Sequence, residues 1–245
     1  PLFAPSWRMM ICIPSSITEV EKRAVRDSAE QAGAKEVYLI HEPMAAALGI
    51  GIDVEEPVGN MIIDIGGGTT GITVIALAGI VCDQSIRIAG DEFTADIMEA
   101  LRRYHSLLIG ERTAEQIKIQ VGAAMKEIDN PPDDFPVNGR DLVTGIPKQI
   151  MVSYQEIAEA LDKSIFKIEE AILKALEQTP PELAADIYRR GLYITGGGAL
   201  LRGLDKRLSN KIKLPVHIAD DPLKSVVRGT GIALKNYDKY PFVMR

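Results

Sequence analysis

The chain has 245 residues, and its 28 Lys and Arg against 34 Asp and Glu give a formal net charge of −6. A hydrophobic fraction of 46% and a charged fraction of 25% are typical of a globular protein with a substantial core, in one large domain or two ordinary ones. The acidic balance argues against the clustered basic surface of a nucleic-acid-binding protein, so we expect no nucleic-acid partner. The longest apolar stretch has 11 residues, which is too short for a membrane-spanning helix, and we expect no signal peptide.

The first 50 residues alternate between strand and helix patterns. Short apolar runs at 9–13 and 37–40 predict buried strands. Between them, Ser16-Ile17-Thr18-Glu19 has the spacing of a capping box, which predicts a helix as far as Ala32 with Gly33 as its C-terminal cap. An Ala-rich helix then opens at Pro43, because proline is tolerated in a first helical turn. This order predicts a parallel α/β sheet.

Three further strands are predicted without a helix between them. The apolar and β-branched runs lie at 61–65, 72–78 and 80–89, and glycine-containing turns separate them. This arrangement is typical of a β-meander.

Residues 94–154 have the pattern of an α+β insertion. A helix is predicted from Glu92 to Leu108 and a second from Ala114 to Met125, capped by Thr113. Short antiparallel strands are predicted within 135–153.

The α/β pattern then resumes to the end of the chain. A long amphipathic helix is predicted over 154–178, and strands over 192–195 and 216–219. A glycine triplet is expected to turn into a helix that runs through Asn210, and Pro222 opens a last helix that runs through Leu234.

The glycine-rich turn after the 61–65 strand has the chemistry of an anion site. Its Gly66-x-Gly68-x-x-Gly71 spacing fits the dinucleotide fingerprint, but a strand rather than a helix is predicted to follow, so a nicotinamide cofactor is not expected. A strand–glycine turn–strand unit still presents several N–H groups to an anion, and glycines allow close approach. Asp64 could bind Mg²⁺ through water, and Thr69 and Thr70 add hydroxyl groups. An ordinary glycine hairpin is the alternative.

A second glycine triplet, Gly196-Gly197-Gly198, follows the 192–195 strand and precedes a predicted helix. A helix N-terminus carries free N–H groups and partial positive charge, which suit a phosphate. A simple tight strand-to-helix connection is the alternative. Two such triplets in one chain fit a nucleotide held between two lobes.

These residues resemble those of a known superfamily. Residues 64–70 resemble the second phosphate loop of the actin, sugar-kinase and heat-shock-chaperone ATPases, and residues 195–201 resemble their adenosine loop. Other runs resemble the MreB family of bacterial actin-like, rod-shape-determining proteins, over 13–21, 42–47, 88–91, 110–115 and 179–183. The resemblance extends from about residue 8 to residue 234.

The resemblance implies an α/β, actin-like (ribonuclease H-like) ATPase fold with two lobes around a nucleotide cleft. The expected units are a first lobe (1–57 and 222–245), a second lobe core (58–93 and 155–221) and an inserted small subdomain (94–154). The first phosphate loop of the family, an Asp-x-Gly-Thr segment, has no counterpart in the sequence. We therefore expect the first lobe to be incomplete and these 245 residues to bind nucleotide poorly on their own.

The resemblance also implies roles on the phosphate side of a bound ATP. Glu42 would polarise the attacking water, although a helix-capping Glu is the alternative, and Thr69 would help to hold that water. Asp64 would bind Mg²⁺ through water. The β- and γ-phosphates would be held by loop groups, from Gly66, Gly67, Gly68, Thr69 and Thr70. Many relatives carry an acidic residue, and actin a histidine, where this chain has Gly71, so we expect slow hydrolysis.

On the nucleoside side, Glu115 and Lys118 match positions that contact ribose and adenine, with an exposed i,i+3 ion pair as the alternative. The adenosine side would be lined by Gly196, Gly197, Gly198, Ala199 and Leu200.

An apolar N-terminal cluster, Leu2, Phe3 and Trp7, falls where the family has a loop that enters the membrane surface. A tail that once packed on a missing subdomain is the alternative.

The resemblance implies an ATP-binding, filament-forming protein that organises cell-wall elongation and maintains rod shape. It would be cytoplasmic and peripheral at the inner face of the cell membrane, with slow ATPase activity in the intact protein. Its expected partners are its own copies in protofilaments, the membrane surface and the membrane proteins of cell-wall elongation. A small-molecule kinase or a chaperone-type ATPase of the same superfamily is the alternative.

Overall fold

A computed structural model of the chain describes residues 7–245. Over these residues the strands are β1 (Trp7–Ile13), β2 (Ala34–His41), β3 (Asn60–Ile65), β4 (Thr70–Ala76), β5 (Gly79–Ile86), β6 (Leu107–Leu108), β7 (Phe135–Asp141), β8 (Pro147–Val152), β9 (Leu192–Thr195) and β10 (Val216–Ile218). The α-helices are α1 (Glu19–Gln31), α2 (Glu42–Ile50), α3 (Gly90–His105), α4 (Glu111–Val121), α5 (Tyr154–Gln178), α6 (Pro181–Arg190), α7 (Leu204–Ile212) and α8 (Ser225–Lys235).

The first part of the chain folds as a parallel β1–β2 pair, as predicted, with α1 as the crossover. The capping box of α1 lies two residues later than predicted. Thr18 is the N-cap, its Oγ1 accepts from the Glu21 amide, and its own amide donates to Glu21 Oε2 at 2.8 Å. The N-cap is therefore Thr18 and not Ser16, and Glu21 at the third helical position closes the reciprocal pair of bonds.

A five-stranded sheet of order β10-β9-β3-β4-β5 forms the centre of the molecule. Strands β3, β4 and β5 are antiparallel neighbours, which confirms the predicted meander. Strand β9 lies parallel to β3 on its other side, and β10 lies parallel to β9. The parallel pairing of β3 with β9 places the ends of both strands at one edge of the sheet.

The insertion contains the three-stranded sheet β6-β7-β8, and its antiparallel β7–β8 hairpin confirms the prediction for 135–153. The predicted end of the preceding helix at Leu108 is wrong. Ser106 adopts a φ of 50°, which ends α3, and the fully buried Leu107 pairs with β7 instead. Helix α4 begins at Glu111 with Gly110 as its N-cap, not at Ala114 with Thr113 as its cap, and it ends at Val121 rather than at Met125.

The C-terminal third departs from prediction at its glycines and prolines. Helix α5 has the predicted bounds, but α6 was not predicted, because Pro180 and Pro181 read as a stop signal whereas Pro181 opens α6. The predicted helix through Asn210 is wrong. A 3₁₀ turn at Gly197–Leu200 is followed by a break at Gly203, with a φ of 74°, and then by α7. A second 3₁₀ turn, Pro222–Lys224, precedes α8.

Helices α2 and α8 cross at glycines and seal a second core against the central sheet. A Cβ atom on Gly229 would lie 1.7 Å from the carbonyl oxygen of Ala45, and one on Gly49 would lie 1.8 Å from that of Ser225. Side chains from the central sheet, including Ile62 and Ile75, pack into this core. No helix within residues 7–245 has the length and apolar composition to span a membrane.

Candidate functional site

The two glycine triplets lie side by side. Asp64 of β3 is opposite Thr195 of β9 in the parallel register, so both glycine loops leave the sheet at the same edge. The loops approach so closely that a Cβ atom on Gly196 would lie 2.5 Å from Asp64 Oδ1. The structure therefore forms a single site from segments about 130 residues apart in the sequence.

The first glycine loop is held mainly through its carbonyl groups, and three of its amides, those of residues 67–69, remain free. The carbonyls of Gly66 and Gly67 accept from the amides of Gly90 and Asp91 at 3.1 and 2.7 Å. The Gly66 amide donates to the Thr69 carbonyl at 3.0 Å. Residues 67–69 are exposed, and among the described residues no protein group accepts a hydrogen bond from the amides of Gly67, Gly68 and Thr69. Three adjacent free N–H groups on an exposed turn are the geometry of an anion cradle.

Two carboxyl groups belong to this site: Asp64 lies just before the glycine loop, and Glu42 lies near enough to Asp64 for their charges to interact. Glu42 is the first residue of α2, and Asp64 is the penultimate residue of β3. Burial and the nearby charge of Glu42 raise the pKa of Asp64 to about 6, and burial raises the pKa of Glu42 as well. A cation between them would stabilise both ionised forms.

The donor set fits Mg²⁺ bound through few protein ligands. Within residues 7–245, no cluster of three or more His, Cys, Asp or Glu side chains could hold a metal by itself. Magnesium commonly keeps several waters and takes its other ligands from one or two carboxylates and substrate phosphates. Asp64, beside the cradle of free amides, meets that requirement.

The two threonines of the loop have different surroundings. Thr69 is exposed on the loop, beside the free amides. Thr70 is fully buried, and its hydroxyl donates to the Ile88 carbonyl at 2.6 Å. The structure therefore brings Thr69 to the surface of the cradle and uses the Thr70 side chain to hold the loop against the segment before α3.

Glu115 and Lys118 form the predicted ion pair at 2.6 Å, but the pair also supports the loop. Lys118 Nζ donates to the Gly90 carbonyl at 2.7 Å and to Thr94 Oγ1 at 3.1 Å. The Lys118 side chain is only 15% exposed, so the interpretation of an exposed surface pair does not hold for it. A cavity of about 630 Å³ opens between α3 and α4, with Glu115 in its wall.

Close packing requires glycine at two positions of the second glycine loop, Gly196 and Gly198. A Cβ atom on Gly198 would lie 2.2 Å from Cγ2 of Ile65, and Gly196 has a φ of 82°. Gly197 is exposed beside Leu223. Ala199 is buried in the core, whereas Leu200 is 56% exposed. The expected helix N-terminus is absent here, because the loop continues into a four-residue 3₁₀ turn.

Comparisons with known proteins identify the family of the chain. A family model described as MreB/Mbl protein matches residues 2–241. The chain belongs to the MreB/Mbl family. It is 48% identical to the cell shape-determining protein Mbl of Bacillus subtilis (96% of this chain, 70% of Mbl). It is also 48% identical to the cell shape-determining protein MreB of Escherichia coli K12 (96% of this chain, 67% of that protein).

Solved structures show the same fold. The crystal structure of MreB5 of Spiroplasma citri bound to AMPPNP superposes with a TM-score of 0.91 at 40% identity, over 95% of this chain and 69% of MreB5. A MamK double helical filament matches in fold alone, with a TM-score of 0.76 at 23% identity. The expected actin-like α/β fold is thus confirmed, and membership of the MreB/Mbl family decides against the kinase and chaperone alternatives.

In this MreB/Mbl chain, sequence reasoning assigned no role to Gly90, Asp91 or Thr94, although these residues hold the first glycine loop and Lys118. The run 88–91 carried a signal, since it was among those that resemble the family. The role of this run depends on the start of α3 against the loop, which no local sequence pattern specifies.

Of the apolar N-terminal cluster, Leu2 and Phe3 lie outside the described residues. Trp7 begins β1 and is 58% exposed.

Proposed function

We propose that this protein binds ATP with Mg²⁺ at the paired glycine loops and assembles into filaments that determine cell shape. The observation that carries the proposal is the cradle of free amides at 67–69 next to Asp64 and Glu42. Structures of the 40% identical MreB5 bound to AMPPNP and to ADP support it. We assign the lobes to 1–57 with 222–245 and to 58–93 with 155–221, and the small subdomain to 94–154.

The side chains present suggest how hydrolysis proceeds. Glu42 orients the attacking water and accepts its proton, a role that its burial favours because burial raises the pKa of its carboxyl. Thr69 helps to hold that water, and the amides of 67–69 bind the terminal phosphates. Bound Mg²⁺, held through water by Asp64, would neutralise phosphate charge. Gly71 lies opposite Asp64 and has no side chain for proton transfer, so turnover is slow.

Nucleotide binding is tested with a fluorescent ATP analogue and the full-length protein. Asp64→Ala is expected to weaken Mg²⁺-dependent binding tenfold or more. The matched control is Asp27→Ala, which removes an exposed carboxylate on α1 and should leave affinity unchanged. Equal affinity of wild type and Asp64→Ala, or no binding by wild type, would overturn the assignment of the site.

We also propose that the filaments lie at the inner face of the cell membrane, with the membrane proteins of cell-wall elongation as partners. The exposed Trp7 supports this placement, because an aromatic side chain suits the boundary between lipid and water.

Liposome co-sedimentation of the full-length protein tests the membrane contact. The triple variant Leu2→Ser, Phe3→Ser, Trp7→Ser should stay in the supernatant. Val143→Ser, which removes an apolar side chain that is 82% exposed at the β7–β8 turn, should pellet like wild type. Unchanged pelleting of the triple variant would exclude the contact.

A further inference from the structure

A side-chain hydrogen bond crosses from the loop after β1 to the central sheet. Ser15 Oγ donates to Asp83 Oδ2 at 2.5 Å. The other carboxylate oxygen, Asp83 Oδ1, accepts from Thr73 Oγ1 at 2.8 Å. Asp83 on β5 and Thr73 on β4 are direct partners in the antiparallel register, so both belong to the same rigid sheet.

This bond is distinctive in what it joins. Within the described part of the chain, it is the only hydrogen bond between two side chains that links residues 7–50 with the five-stranded sheet. The other packing between these parts is apolar, such as that of Ile62 and Ile75 against the core of α2. Apolar packing is non-directional, whereas a hydrogen bond specifies one relative position.

The bond lies beside the candidate site. Thr73 is two residues from Gly71 on β4, so the two residues face the same side of the sheet, where Gly71 is opposite Asp64. Ser15 follows Ile13 by two residues, and Ile13 pairs with His41, the neighbour of Glu42. The bond therefore links the chain segment next to Glu42 with the strands that carry Asp64 and Gly71.

Its surroundings suit a contact that opens and closes. Asp83 is exposed and Ser15 is partly exposed, so water can replace either partner when the bond breaks. Thr73 is almost completely buried, and its hydroxyl holds the Asp83 carboxylate in place on the sheet. The acceptor is thus preorganised, and only the Ser15 loop needs to move.

We propose that Ser15 and Asp83 form a latch that holds the β1–α1 loop against the central sheet and favours the closed arrangement of the site. Its consequence for nucleotide release rests on the proposed function, but the latch itself does not. A single exposed hydrogen bond to a carboxylate is weak. The latch therefore shifts the equilibrium between the open and closed arrangements of the site toward the closed one, and both arrangements remain populated.

The latch is tested without nucleotide by electron–electron distance measurements on the full-length protein. Spin labels are placed at two exposed positions, Val20→Cys on α1 and Ile119→Cys on α4, in a Cys12→Ser, Cys82→Ser background. Because α4 shares one core with the central sheet, the distance between the labels reports the separation of the β1–α1 part from the sheet. Ser15→Ala and Asp83→Ala should each raise the open population roughly three- to tenfold. The double variant should open no further than Asp83→Ala alone, since that change already removes the bond from Ser15, together with the bond from Thr73 within the sheet.

Two variants separate this effect from general loosening. Ser15→Thr keeps the hydroxyl and should restore the wild-type distances. Ser28→Ala removes a hydroxyl that bonds within α1, to the Ala24 carbonyl, and should change nothing. Identical distance distributions in wild type, Ser15→Ala and Asp83→Ala would overturn the latch.

Release of a fluorescent ADP analogue gives the functional readout. Ser15→Ala and Asp83→Ala should each speed release by about the same factor as the population change. Altered distances in a protein that binds no nucleotide would support the latch and overturn the proposed function. Nucleotide binding with unchanged distances and release rates would support the proposed function and overturn the latch.

Discussion

Asp64 is the residue at which folding and binding oppose each other. Its pKa of about 6 in the folded protein lies above the ordinary 3.8, because burial and Glu42 disfavour the charged form. Between these two pH values the folded state binds more protons than the unfolded state, so the free energy of unfolding falls as pH rises from about 4 to about 6. The loss is about 3 kcal/mol and persists at neutral pH until a cation offsets it.

We therefore predict that Asp64→Asn stabilises the nucleotide-free protein at pH 7.5, by about 2–3 kcal/mol, and has little effect at pH 4. Urea unfolding of both proteins across this range measures the difference. Apart from Glu42, whose charge interacts with that of Asp64, the other carboxyl groups titrate equally in the two proteins, so the comparison reports on the Asp64 site. If the free energies of unfolding of the two proteins changed with pH in parallel, the site would not disfavour the ionised form of Asp64.

The glycines of the site divide into those that packing requires and those that it does not. Gly198→Ala forces a Cβ atom to within 2.2 Å of Ile65 Cγ2, and we predict a loss of about 2–3 kcal/mol in the free energy of unfolding. Gly71→Ala meets nothing within 4 Å and should cost well under 1 kcal/mol. Thermal and urea unfolding give the comparison, and equal losses for the two variants would contradict this account of the second loop.

Among the elements, the α2–α8 crossing makes the sharpest prediction. Gly229→Ala places a Cβ atom 1.7 Å from the Ala45 carbonyl oxygen, and separating the helices should cost 3 kcal/mol or more. Gly231→Ala, in the same helix but on its exposed side, has nothing within 4 Å and should stabilise the protein by about 0.5–1 kcal/mol. Opposite signs for two identical substitutions, measured by urea unfolding, are the expected result. A stabilisation of similar size at both positions would mean that helix propensity, not packing, governs α8.

The elements also show what sequence patterns can specify. The 3.6-residue period predicts α5 to the residue, because its apolar face is continuous and a proline pair follows it. Helix α6 was not predicted from the same prolines, because proline is common both in the first turn of a helix and after the end of one. The break before α7 depends on Gly203 in a left-handed conformation, and a glycine does not reveal its φ in the sequence.

At the scale of the whole molecule, the site could be predicted only in part. The two glycine triplets were recognisable because each follows a strand, and Asp64 precedes one of them. Their contact depends on the pairing of β3 with β9, which is a long-range register that local patterns do not encode. The roles of Gly90 and Thr94 depend on the same assembly, because α3 begins against the first loop.

We propose that nucleotide bound at the paired glycine loops drives assembly into filaments. Sedimentation of the full-length protein with and without ATP and Mg²⁺, with electron microscopy of the pellets, tests it most directly. We predict filaments in the pellet with ATP, and a soluble Asp64→Ala variant under the same conditions. Wild-type protein that stays in the supernatant across salt and lipid conditions, or that pellets equally without nucleotide, would contradict the claim.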